Sequence, residues 1–169
     1  MDRARSLIIL SALLLVLCGR QSKAQTFSLR RVHDSLYWLN EWRLPYPVYR
    51  FETGDIDGDG QTDAIVGVIK STRFYPERGR RLFIFKMVDA PKGAADGRKR
   101  VRPLWLGSRL GGHLQDFRYV TNGHLRSLET TDNGRWVVAD YRWGRFGMTF
   151  DHYIVKGTNK NTALKHFNL

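Results

Sequence analysis

Residues 55 to 69 read D-I-D-G-D-G-Q-T-D-A-I-V-G-V-I, a stretch in which four carboxylates surround two glycines and an apolar run follows at once. Carboxylates this close repel one another, so a turn that needs no cation is poorly served by them. A hard cation wants such an all-oxygen set. Asp55, Asp57 and Asp59 can turn inward at positions one, three and five, the main-chain carbonyl of Gln61 can serve at seven, and Asp63 can close the shell at nine. Gly60 permits the sharp bend. The expected ion is Ca2+, and the plainer alternative is a solvated acidic turn. An EF-hand would carry a bidentate Glu at position twelve, but that position is Val66, inside the apolar run, so the loop feeds a strand.

Phe51, Gly54, Asp55, Asp57, Asp59, Gly60, Asp63 and the run 64–69 together give a strand, a Gly, a D-x-D-x-D-G-x-x-D loop and an apolar strand. This pattern resembles the calcium-binding repeats of the FG-GAP and VCBS type, found in integrin-like propellers and many secreted bacterial proteins. The resemblance covers the loop and its flanks only. It implies metal binding and a blade-like unit, and it leaves the biological role open.

Outward from the loop, turn residues punctuate the chain into strands expected near 47–53, 63–70, 81–88 and 101–107, and again near 114–121, 124–131, 135–142 and 147–156. Asn122-Gly123 and Asp132-Asn133-Gly134 are hairpin signals. Phe51–Asp55 is echoed by Leu128–Asp132, which suggests diverged copies of one four-stranded unit over about 47–107 and 114–156, the second with its metal lost. Two units are too few for a closed propeller. The expected fold is therefore mainly β, with two antiparallel four-stranded blade-like units in a small sandwich, an open barrel or a partial propeller. Leu36, Leu39 and Trp42, three apart between Asp34 and Pro45, predict a short N-terminal helix over 34–43. Residues 157–169 read as a loosely held tail.

Residues 1–24 have the form of a secretory signal: Arg3 and Arg5, an apolar core from Leu7 to Leu17, and Ser22-Lys23-Ala24 as a small-x-small cleavage site. Export to the periplasm or the exterior is expected, with 25–169 as a single β-rich domain. The alternative is a lipoprotein anchored through Cys18, although Leu17 precedes it where a small side chain is favoured. The apolar core is too short for a membrane helix, which needs about 20 residues. The whole chain has formal net charge +12, and losing four basic residues and one acidic residue with the signal leaves +9 and no cysteine. An exported chain without disulfides must rely on its own core, to which a bound ion can add. The basic balance would suit nucleic acid, but export makes that an unexpected partner.

The five histidines are scattered without zinc spacing, and no G-x-S-x-G elbow is present. His152 alternates with Met148, Phe150 and Ile154, which predicts a partly buried ring. Asp116, Glu129, Asp140 and Asp151 lie on expected strands, where pairing with Arg118, Arg126, Arg142 or Arg145 is the simple explanation. Arg135–Phe146, R-W-V-V-A-D-Y-R-W-G-R-F, interleaves aromatics and arginines as an anion or sugar platform would. Its plainer form is a core strand with arginines at the rim. Trp143, Arg142 and Arg145 are the candidate ligand-binding residues, with Trp143 expected in an exposed turn. Arg98-Lys99-Arg100 with Arg102 is a second basic cluster. The expected function is an exported, calcium-stabilised binding or interaction module of a bacterial envelope, meeting acidic glycan, lipopolysaccharide or another envelope protein. The alternatives are an extracellular polymer-acting hydrolase with a structural calcium, and an envelope component without a discrete ligand.

Overall fold

The apolar run behind the acidic loop forms the most buried strand of the protein, with Asp63 to Val68 all buried. The computed structural model describes residues 26–73, 75–91, 93, 98–107, 110–121 and 123–169. The expected signal and Cys18 lie outside the described residues, as does Asn122. Eleven strands precede one helix among the described residues: β1 (Leu29–His33), β2 (Leu36–Leu39), β3 (Trp42–Leu44), β4 (Val48–Gly54), β5 (Asp63–Lys70), β6 (Gly79–Val88), β7 (Arg100–Trp105), β8 (His113–Tyr119), β9 (His124–Thr130), β10 (Trp136–Gly144), β11 (Gly147–Thr158) and α1 (Lys160–Phe167). They pair as three antiparallel sheets, of order β1-β2-β3, β4-β5-β6-β7 and β11-β10-β9-β8. The fold is mainly β and sandwich-like, with two four-stranded meanders as expected.

A sheet covered on both faces reads as a continuous apolar run rather than an alternating one. Here Ala64, Val66 and Val68 of β5 pack with Phe83 and Phe85 against Leu39 and Leu44 of the N-terminal sheet. On the opposite face Ile65, Leu82 and Ile84 meet Leu114, Phe117, Leu125, Val137 and Ala139 of the other meander. The far face of that meander is covered by α1 through Ala163 and Phe167, beside Leu128 and Val138. The described residues thus stack in four layers, three sheets and a helix.

Three expectations need correction. Residues 34–43 are not a helix: they hold β2, a turn and the start of β3, and Leu39 pairs with Trp42 across that turn. The spacing of three that mimicked a helix is the span of this hairpin, and Asn40 takes the left-handed conformation (φ 51°) that Asn tolerates better than most residues. Residues 157–169 are not a loose tail. The Asn159 side chain accepts from Thr162 N and caps α1, whose Ala163 and Phe167 lie four apart on the buried face. Third, the echo between 51–55 and 128–132 joins unlike turns. The first closes the β4–β5 hairpin and the second the β9–β10 hairpin, so one is the opening turn of its meander and the other the middle one.

Candidate metal centre

The acidic loop spans the β4–β5 hairpin, whose last pair is Gly54 with Asp63. Ile56 anchors it from within, buried in the core between the two meanders. The Asp55 carboxylate organises the turn by accepting backbone N–H groups from Gly58 (2.8 Å), Asp59 (3.1 Å) and Gly60 (2.9 Å). Gly58 and Gly60 both lie at positive φ, 76° and 81°, where a Cβ is strained. The second meander also touches the loop, since the Tyr119 hydroxyl donates to the Asp55 carbonyl at 3.1 Å.

Ligand oxygens of Asp55, Asp57 and Asp63 lie within 4.8 Å of one another. Asp63 is fully buried: its Oδ2 accepts from Ile56 N at 3.0 Å, while its Oδ1 is buried with no hydrogen-bond partner. Burial pushes its pKa up to about 6, against the pull of the Ile56 N–H, and the nearby Asp57 carboxylate adds to the rise. A buried carboxyl group with one orphaned oxygen, gathered with two further carboxylates, fits a hard cation, which would supply the missing positive partner.

Asp59 does not join this trio. It turns to Lys86, whose ammonium bridges Asp57 Oδ2 at 2.6 Å and Asp59 Oδ2 at 2.7 Å. Burial works against the charged form of Lys86, yet the two carboxylates more than offset it and its pKa is raised. The hydrogen bond from Lys86 in turn lowers the pKa of Asp59. The Gln61 N–H and side-chain amide donate to Asp59 while its side-chain oxygen accepts from Lys99, and none of these bonds engages the main-chain carbonyl expected at position seven. Of the four expected carboxylates the structure gathers Asp55, Asp57 and Asp63, and it adds Lys86 as a residue the motif does not contain. The one sequence signal for Lys86 is a lone charge inside the apolar strand L-F-I-F-K-M-V, placed beside the loop by the pairing of Ala64 with Phe85.

The arginine-aromatic run is largely structural. Trp143 lies within β10, half-buried against the core between the meanders, and is not in an exposed turn. Trp105 packs on the same core and Trp136 on the α1 side. Arg142 pairs with Asp151 at 3.3 Å. The turn itself holds Arg145 and Phe146, and Phe146 is 89% exposed. Bulges in the β10–β11 pairing break the expected alternation, so His152 is exposed and contacts Asp151 at 2.9 Å. Arg126 pairs with the buried Asp140 at 2.9 Å, as expected, whereas Asp116 pairs with Arg50 and the buried Glu129 accepts from Ser127 and Gly112. No described helix is long and apolar enough to cross a membrane. No protein-family model, curated protein or solved structure matches the chain.

Proposed function

We propose that this chain is an exported binding or interaction module of a bacterial envelope, stabilised by a calcium ion held by Asp55, Asp57 and Asp63. The observation that carries the metal assignment is the buried Asp63 Oδ1, which has no partner, on a carboxyl group that gathers with those of Asp55 and Asp57. When bound, the ion would supply the positive charge that ties the loop to the first residue of β5. The chain's own groups do the rest: the backbone N–H groups on Asp55 shape the turn, and Ile56 N fixes Asp63. The envelope role rests on the resemblance of the loop to FG-GAP and VCBS repeats and on the secretory character of residues 1–24. Acidic glycan, lipopolysaccharide and a second envelope protein are the partners that suit a net charge of +9.

A second reading has its own observation, the Lys86 ammonium between Asp57 and Asp59. In that case the side chain is the loop's cation and no metal is needed. Calorimetric melting separates the two. A calcium loop gives a melting temperature that falls in chelator and recovers with Ca2+ in preference to Mg2+, which demands a smaller octahedral shell. Lys86→Gln then lowers the metal-free melting temperature and widens the rise that calcium produces. Identical melting curves in chelator and in calcium, for both the parent and Lys86→Gln, would leave Lys86 as the loop's cation.

A further inference from the structure

A cleft of 480 Å³ opens between the start of β6 and the edge strand β8. Three arginines line it, Arg78, Arg80 and Arg81, together with Tyr75, His113 and Gln115. Its volume falls within the range of small-molecule sites. Arg81 is only 8% exposed, and its Nε is buried without an acceptor. One terminal nitrogen donates to the carbonyl of Arg80 at 2.9 Å, and the guanidinium carbon lies 5.8 Å from the Tyr75 ring centroid. Gly79 leaves room for it, since a Cβ there would stand 2.8 Å from Arg81 Nη1. Among the described residues none of the three arginines forms an ion pair. Glu77, the single acidic residue among the described lining residues, is exposed at the mouth.

A buried guanidinium without a carboxylate is costly, because its desolvation is not repaid by an opposite charge. Elsewhere in this chain the partly buried Arg126 is matched with Asp140 and Arg50 with Glu52 and Asp116, so Arg81 departs from the protein's own pattern. What would satisfy it is an oxyanion, which a planar guanidinium grips with two parallel N–H bonds. Tyr75, Pro76 and Leu114 give the cleft apolar surface for the body of such a ligand.

We propose that this cleft binds a small organic anion through a carboxylate or phosphate group, with Arg81 as the buried anchor and Arg78 at the mouth. The site stands apart from the acidic loop and does not depend on calcium. Isothermal titration of the full chain at low ionic strength tests it, with glucuronate and glucose 6-phosphate as the anionic probes and glucose as the neutral control. At least one anion binds at one site per chain and glucose does not, and the stronger anion tells carboxylate from phosphate. Arg81→Gln weakens that binding by about tenfold or more, whereas Arg102→Gln, an exposed arginine on β7, changes it less than about twofold. Circular dichroism checks the fold of each variant. If Arg81→Gln fails to fold, Arg78→Gln on the exposed segment decides, with a loss of affinity expected. The proposal is overturned if neither anion binds, if glucose binds as well as they do, if Arg102→Gln weakens binding as much as Arg81→Gln, or if Arg78→Gln is silent where it must decide. Repeating the titration in chelator separates the two sites: anion binding persists there whether or not the loop holds a metal.

Discussion

Asp63 carries opposite consequences for the loop with and without a cation. Its pKa of about 6 in the folded chain lies above the ordinary value of 3.8, chiefly because burial disfavours the charge. Below about pH 4 the carboxyl is protonated in folded and unfolded chains alike. Between there and about pH 6 the unfolded chain releases its proton while the folded chain keeps it, so the metal-free protein loses stability as pH rises through that window. The loss is on the order of 2–3 kcal/mol, complete above about pH 6. A cation reverses the sign, because it binds the deprotonated form. Asp63→Asn keeps the shape and can still accept from Ile56 N, so it should flatten the metal-free stability profile between pH 4 and 7 and abolish the calcium-dependent rise in melting temperature. A variant that still gains stability from calcium would remove Asp63 from the ligand set. The spacing of Asp55, Asp57 and Asp63 was legible in the sequence because all three sit on one short loop. The diversion of Asp59 was not, since Lys86 reaches it only through the β5–β6 register.

At the scale of elements, the eight strands of the two meanders were legible because turn residues bound stretches that are either apolar runs, as in β5 and β6, or mixed apolar and polar, as in β8. The N-terminal hairpin was not, because a three-residue apolar spacing arises equally from one helix face and from a pair flanking a two-residue turn. Leu39 and Trp42 are such a pair. The C-terminal helix was missed for a different reason. It buries only Ala163 and Phe167, so its apolar face is narrow, and its clearest sign is the cap at Asn159. That cap makes a testable demand. Asn159→Ala removes the acceptor of the 2.9 Å bond from Thr162 N and should cost about 1 kcal/mol, within the usual range for a lost N-cap. Phe167→Ala should cost more, about 3–5 kcal/mol, because it empties a buried ring site against Leu128 and Val138. Hydrogen exchange at Ala163 N, which bonds to the Asn159 carbonyl, should quicken in both variants. Unchanged exchange there would mean that α1 is held by something other than its cap and its one aromatic.

At the scale of the whole molecule, the order of the four layers could not be read from sequence, because strand patterns report which residues face a core without saying what lies across it. The β5 run is continuously apolar, and only packing reveals that one side meets the N-terminal sheet and the other the second meander. This stacking has a mechanical consequence for the loop. Ile56 sits in the core between the meanders, Tyr119 of β8 bonds the Asp55 carbonyl, and Tyr119 N bonds Glu52 of β4, so the loop is held by both sheets. A tight point of that interface is Gly67 of β5, where an added Cβ would lie 2.6 Å from the Tyr49 ring and 2.8 Å from Phe117. These rings pack edge to face with centroids 6.1 Å apart, so neither can retreat without moving the other. Gly67→Ala should therefore destabilise by about 1–3 kcal/mol through overpacking. The strain falls on the junction, so protection from hydrogen exchange should drop together in β5 and in β9, and denaturant unfolding should remain one transition. Loss of protection confined to β5, with β9 as slow to exchange as in the parent, would mean that the meanders are separately stable. In that event stabilisation at the acidic loop would stop at the first sheet.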